Sequence, residues 1–164
     1  MIINGKKLLE AAPIKNMLGF KDSFSGASHG LSEAGYDIRI AEDIMFMPSK
    51  KVTIVMGADE TLIESNNFVL ASAYEEFQMP NNLVGIVHDK STWARQGLSV
   101  FNTVIEPGWS GHLTLELVYH GSKDLHIKAG QGIAQVIFHE TVCMSSYDGK
   151  YQNQKSGPQP AITK

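Results

Sequence analysis

Between residues 112 and 120 apolar and polar side chains alternate: Leu113, Leu115, Leu117 and Tyr119 point one way, and His112, Thr114, Glu116, Val118 and His120 the other. A period of two is that of a β-strand, so the spacing predicts a strand with Glu116 on the face opposite the leucines. Shorter alternations at 36–40 and 51–55, and in part at 68–74, predict further strands. The apolar run at 83–87 reads as a buried strand, and 125–127 and 132–138 continue the series across a turn at 128–131. Asn4 is placed to cap a short helix over 6–11, which Pro13 ends because the residue before proline avoids helical dihedrals. The Gly- and Ser-rich stretch 19–30 reads as a loop. One exception interrupts the strands. Residues 91–96 suit a single helical turn capped by Asp89 or Ser91 and ended by Gly97, with Ser91 and Arg95 on one face. Many short strands with Gly and Pro turns predict an all-β sandwich or jelly-roll-like barrel with short helices. A single domain is expected over 1–164, with 147–164 a polar, aromatic-bearing flap that stays mobile until something orders it.

At 164 residues the chain is long enough for one buried core, and an apolar fraction of 43% argues against disorder. A net charge of -3 supplies no basic footprint for nucleic acid, yet suits a small anion held by a few placed cations. Cys143 is the only cysteine, which excludes an intrachain disulfide and favours a cytosolic setting. The first residues lack the apolar region of a secretory signal, and no apolar run approaches the roughly 20 residues of a membrane span. A soluble, cytoplasmic protein without a membrane partner is expected.

Glu116 is either a solvent-facing residue on the outer side of a sheet or a general acid and base in a partly buried site. Ser91 and Arg95 are either a cap and a surface cation or parts of the same site. Lys90-Ser91-Thr92 stands at a strand-to-helix junction, where hydroxyls and backbone N–H groups suit phosphate, although no glycine-rich cradle accompanies it. Residues 106–111 are turn chemistry, within which Trp109 is either core or the apolar wall of a base-sized pocket. The six histidines show no paired-ligand spacing, and the chain has neither the His-x-Glu nor the Pro-Cys-x-x-Cys element of zinc deaminases. No zinc is expected. A serine hydrolase is unsupported, because no Gly-x-Ser-x-Gly elbow is present.

Lys90-Ser91-Thr92-Trp93-Ala94-Arg95-Gln96-Gly97-Leu98 resembles the dCTP deaminase motif Arg-Ser-Ser-Leu-Ala-Arg-Leu-Gly-Leu. Residues 105–116 resemble that family's Ile-Asp-Pro-Gly-Trp-Ser-Gly and the strand that ends in Leu-Glu, and Lys150-Tyr151-Gln152-Asn153-Gln154 its C-terminal Lys-Tyr-x-x-Gln. Gly35-Tyr36-Asp37-Ile38-Arg39 and residues 79–85 are weaker matches. The resemblance implies the distorted jelly-roll, or β-clip, of the dUTPase-like type and a homotrimer with shared active sites. It also implies hydrolytic deamination of dCTP to dUTP and ammonia without a catalytic metal, supplying dUTP and dUMP for thymidylate synthesis, with Mg2+ carried on the substrate triphosphate. By position Glu116 matches the catalytic glutamate, and Ser91 and Arg95 the residues that orient water and stabilise charge. Lys90, Ser91 and Thr92 match phosphate ligands, Lys150 and Gln154 triphosphate contacts from the flap, and Tyr147 a further one. Thr103, Glu106 and Trp109 complete the implied substrate contacts, Glu106 near the deoxyribose 3′-hydroxyl.

Three departures from the family pattern bear on the implied site: Lys90 replaces arginine, Glu106 replaces aspartate, and the link at 99–104 is two residues shorter. That link also resembles dUTPases, so a bifunctional enzyme forming dUMP and pyrophosphate, or a dUTP pyrophosphatase, stands as the alternative. A non-catalytic nucleotide sensor and a structural jelly roll are the remaining readings.

Overall fold

The computed structural model describes residues 1–48, 52–56, 59–63 and 67–163. In chain order its elements are β1 (Ile2–Ile3), α1 (Gly5–Ala11), β2 (Lys21–Phe24), β3 (Ala27–Leu31), β4 (Tyr36–Arg39), β5 (Asp43–Phe46), β6 (Val52–Met56) and β7 (Asp59–Ile63). They continue with β8 (Phe68–Gln78), β9 (Leu83–Asp89), α2 (Ser91–Ala94), β10 (Leu98–Val100), β11 (Val104–Ile105), β12 (Ser110–Tyr119), β13 (Leu125–Ile127) and β14 (Gly132–Glu140). Among the described residues these strands form three antiparallel sheets. The largest runs β11-β9-β14-β4-β3-β2 with β1 added to β14, the second β10-β12-β8, and the third β13-β5-β6-β7. This mostly-β architecture of antiparallel sheets is the fold class the alternation predicts.

The core lies where the inward faces of these sheets meet. Leu113, Leu115, Leu117 and Tyr119 of β12 are buried there with Val87 of β9, Val136 and Phe138 of β14, and Ile38 of β4. Each such side chain contributes about 1.5–3 kcal/mol of transfer free energy. The intervening His112, Thr114, Glu116 and Val118 are half-buried, so the period-two reading of this strand holds to the residue, except that it ends at Tyr119 rather than at 120.

Other expectations need correction. The stretch read as a loop holds the β2–β3 hairpin, in which Phe24 pairs with Ala27 across Ser25-Gly26. Both turn residues have positive φ, 49° and 85°, the signature of a tight primed turn that an unbiased Ser-Gly pair does not announce. β8 runs four residues beyond the predicted 68–74, where its pairing with β12 continues to Gln78 opposite Ser110, and Glu75 within this extension is buried: its carboxylate accepts the Arg39 backbone N–H and Nε–H, each at 2.8 Å. Asn4 does stand at the start of α1, but its side-chain amide donates to the Glu33 carbonyl at 2.7 Å and caps nothing. Neither Asp89 nor Ser91 caps α2. Lys90 occupies the cap position, and Asp89 instead accepts the Val100 N–H at 2.7 Å. Of the strand expected over 51–55, Lys51 lies outside the described residues.

A second buried carboxylate, Glu42, accepts the Ser72 N–H at 2.9 Å, and burial pushes its carboxyl up from the ordinary value. The folded chain then holds a proton that the unfolded chain releases. The associated stability is full below the ordinary carboxylate range and is lost as pH rises through the raised folded value. Glu42→Gln, which keeps an oxygen acceptor for Ser72, is therefore expected to be more stable than the parent at pH 7 and to lose that advantage near pH 4. Urea midpoints measured at the two pH values check this. An equal offset at both would remove Glu42 as its origin.

Candidate active site

β12 and the short link between β10 and β11 build one wall of a cavity of about 550 Å3, within the range of small-molecule sites. The link is held at both sides: the Phe101 N–H donates to the Glu116 carbonyl at 2.9 Å, and the Val87 N–H to the Thr103 carbonyl at 3.0 Å. This places the Thr103 hydroxyl beside the Glu116 carboxylate, to whose Oε2 it donates at 3.3 Å. Glu116 thus looks into the cavity from the polar face of its strand, with Thr114 two residues before it on the same wall.

Much of the remaining lining is apolar. Leu70 sits opposite Glu116 in the β8–β12 register, and Phe68 lies 6.1 Å from Phe101, ring centre to ring centre. Trp109 is buried against Phe77 with ring centroids 6.1 Å apart, and it also lines the cavity. The Glu106–Trp109 turn closes on itself through the Trp109 N–H to Glu106 carbonyl bond at 3.1 Å, leaving the exposed Glu106 side chain at the rim.

The C-terminal segment forms the roof. Gln154 makes a parallel bridge with Gly111, and a Cβ on Gly111 would fall 2.5 Å from the Gln154 backbone N and O, so only glycine admits the approach. The Asn153 N–H donates to the Ser110 carbonyl at 3.0 Å, the His112 N–H to the Gln154 carbonyl at 2.9 Å, and the Trp109 indole N–H to the Tyr151 carbonyl at 2.7 Å. The Gln154 side-chain amide donates to the Thr114 hydroxyl, which also accepts the Gln159 N–H at 3.1 Å. Tyr147, Tyr151, Gln154 and Gln159 consequently line the same cavity as Glu116.

The predicted site residues therefore separate into two groups. Glu116, Thr103, Glu106, Trp109, Tyr147 and Gln154 line one cavity. Lys90, Ser91, Thr92 and Arg95 do not reach it: Ser91 and Arg95 are exposed on α2, Thr92 is half-exposed, and Lys90 is turned inward and buried. Lys150 is exposed at the outer face of the tail, its ammonium donating to the Ile162 carbonyl and lying 5.1 Å from the Tyr151 ring centre. Residue-level reading passed over Leu70, Tyr151 and Gln159. Tyr151 stood inside a quoted motif without an assigned role, whereas Leu70 becomes visible only through the β8–β12 register. Among the described residues no group of three His, Cys, Asp or Glu side chains converges as a metal site, and no helix is long and apolar enough to cross a membrane.

Known proteins place this arrangement. The chain is similar to proteins named dCTP deaminase from Nautilia profundicola, 36% identical over 154 residues covering 84% of this chain and 83% of that one, and from Nitrosomonas eutropha, 38% identical over 159 residues covering 87% and 85%. Among solved structures, the 2′-deoxycytidine 5′-triphosphate deaminase of Agrobacterium tumefaciens superposes with a TM-score of 0.57 at 14% identity, over 84% of this chain and 47% of that one. The EIAV dUTPase superposes with a TM-score of 0.50 at 24% identity, over 73% and 85%. At those identities the superpositions speak for the fold. The sequence pattern of the dCTP deaminase-like family matches residues 22–141, and with relatives above 30% identity along most of its length the chain belongs to that family.

Proposed function

We propose that this protein hydrolytically deaminates dCTP to dUTP and ammonia. The observation that carries the reading is Glu116: a carboxylate set in an otherwise largely apolar cavity with room for a nucleotide, next to the Thr103 hydroxyl and under a C-terminal roof. Relatives named dCTP deaminase at 36% and 38% identity support it.

In this reading Glu116 takes a proton from water as the water attacks C4 of the cytosine and passes it to N3. It then takes the proton of the new C4 hydroxyl and delivers it to the amine, which leaves as ammonia while C4 becomes a carbonyl. Trp109 and Leu70 provide apolar surfaces for the ring. Glu106 stands at the rim for the sugar hydroxyl. Tyr147, Lys150 and Gln154 belong to a flap that closes over the triphosphate and excludes water. Magnesium enters on the phosphate oxygens, its usual ligands in triphosphate chemistry.

Ser91, Thr92 and Arg95 project from α2 into solvent and not into this chain's own cavity. The reading places them, as a preorganised electrostatic group, at the cavity of a neighbouring copy, which makes the working unit a homotrimer with shared sites. A cytoplasmic setting, where deoxynucleotides are made, goes with it.

The test is to incubate the purified protein with Mg2+ and dCTP, and separately with dUTP, resolving nucleotides while assaying ammonia and pyrophosphate. The expected products are dUTP and ammonia from dCTP. Formation of dUMP with both by-products would establish the bifunctional alternative, which the dUTPase-like shortness of the Thr103-bearing link favours. Turnover of dUTP alone would overturn the role given to Glu116.

A further inference from the structure

Lys90 is the cation that the motif would place on a phosphate, yet its side chain is nine-tenths buried and its ammonium is paired with Asp37, itself almost fully buried. The pair is enclosed by three strands. The Ser28 hydroxyl of β3 donates to Asp37 Oδ2 at 3.3 Å, and the Gln135 side-chain amide of β14 to Asp37 Oδ1 at 3.3 Å and to the Ser32 hydroxyl at 3.0 Å. Gly132 lies beside the lysine stem and is required by the close approach of the β3 backbone. A Cβ there would fall 1.8 Å from the Ser28 carbonyl oxygen and 3.4 Å from Lys90 Cε.

The other end of α2 is tied to the same sheet, since the Trp93 indole N–H donates to the Gly132 carbonyl at 2.6 Å. Between these anchors, the Lys90 carbonyl accepts the Trp93 and Ala94 N–H groups, both at 3.0 Å. Ser91 and Thr92 are thus the outward residues of a short turn whose two inward side chains are fixed.

We propose that Lys90 and Asp37 are positioning residues: their buried ion pair sets the height and direction of Ser91 and Thr92 for a triphosphate, and the Lys90 ammonium does not itself touch phosphate. This rests on the functional reading above and changes the role that the motif implies for one of its residues. Removing one partner of a buried pair leaves an uncompensated charge, whereas replacing both by neutral hydrogen-bonding groups is far better tolerated.

The two roles predict opposite results for Asp37→Asn. A phosphate ligand held back by Asp37 would be released, and the variant would bind Mg2+-dCTP as tightly as the parent or more tightly. A positioning pair loses its anchor, and we expect at least ten-fold weaker binding by titration calorimetry, with KM rising and kcat changed by less than three-fold. Adding Lys90→Gln to Asp37→Asn is expected to recover part of the lost affinity together with the melting temperature. A direct ligand requires a further loss instead, and this double variant keeps the question answerable if Asp37→Asn alone fails to fold. Binding by Asp37→Asn as tight as the parent's or tighter, or weaker binding by the double variant than by the single one, overturns the proposal alone. A parent chain that binds no deoxynucleoside triphosphate overturns the functional reading and the proposal with it.

Discussion

Glu116→Gln is expected to lower the deamination rate on dCTP by a factor on the order of 10²–10⁴, the usual contribution of a positioned general acid and base. It should do so with the fold and nucleotide affinity retained. The substitution keeps size and one acceptor oxygen, so the Thr103 hydroxyl still has a partner and the wall formed by β12 is undisturbed. The loss should therefore fall on kcat, with the dissociation constant for dCTP, measured by calorimetry, within a few-fold of the parent. A variant that retains a tenth or more of the parent rate removes Glu116 from proton transfer and leaves the solvent-facing reading of its strand position in its place.

The largest expected change in stability comes from Trp109→Ala. This indole is buried, packs on Phe77 and donates its N–H to the Tyr151 carbonyl. Truncation should cost about 3–5 kcal/mol, as for other buried aromatic side chains. Because the same side chain joins core, cavity wall and tail, affinity for dCTP should fall too. Trp109→Phe separates the effects: it keeps most of the packing and loses one hydrogen bond worth about 1 kcal/mol. A Trp109→Phe variant with near-parent stability but a raised KM would show the tail bond acting on binding. Equal losses of stability in both variants would mean that the N–H contact, not the ring volume, holds this region.

The alternation around Glu116 was legible because one face of β12 is buried and the other is not, which is the condition under which period two shows. Glu75 and Glu42 were illegible for the opposite reason. A buried carboxylate looks in sequence like a surface one, and its partners, Arg39 and the Ser72 N–H, lie about thirty or more residues away. The β2–β3 hairpin was hidden because β2 is exposed at every position and so has no inward face to set a pattern. Within the site, Glu116, Trp109 and Gln154 of the motif line one cavity, and Glu116 and Trp109 sit on elements that the strand and turn signals already indicated. It could not show that Lys90 turns inward, because that depends on Asp37 arriving from a strand more than fifty residues earlier.

β1 lies beside β14, with Ile2 opposite His139 and Ile3 opposite Phe138, and the Glu140 N–H donates to the Met1 carbonyl at 3.0 Å. In a chain made from its N-terminal end, residues 1–3 must therefore wait for residues 138–140 before their edge of the large sheet is complete. Pairings of such wide separation belong to the slow class of folders, with times of milliseconds to seconds rather than microseconds. During synthesis the apolar faces of β9 and β12 would emerge before their covering strand, and this interval is where a molecular chaperone would have the most to protect.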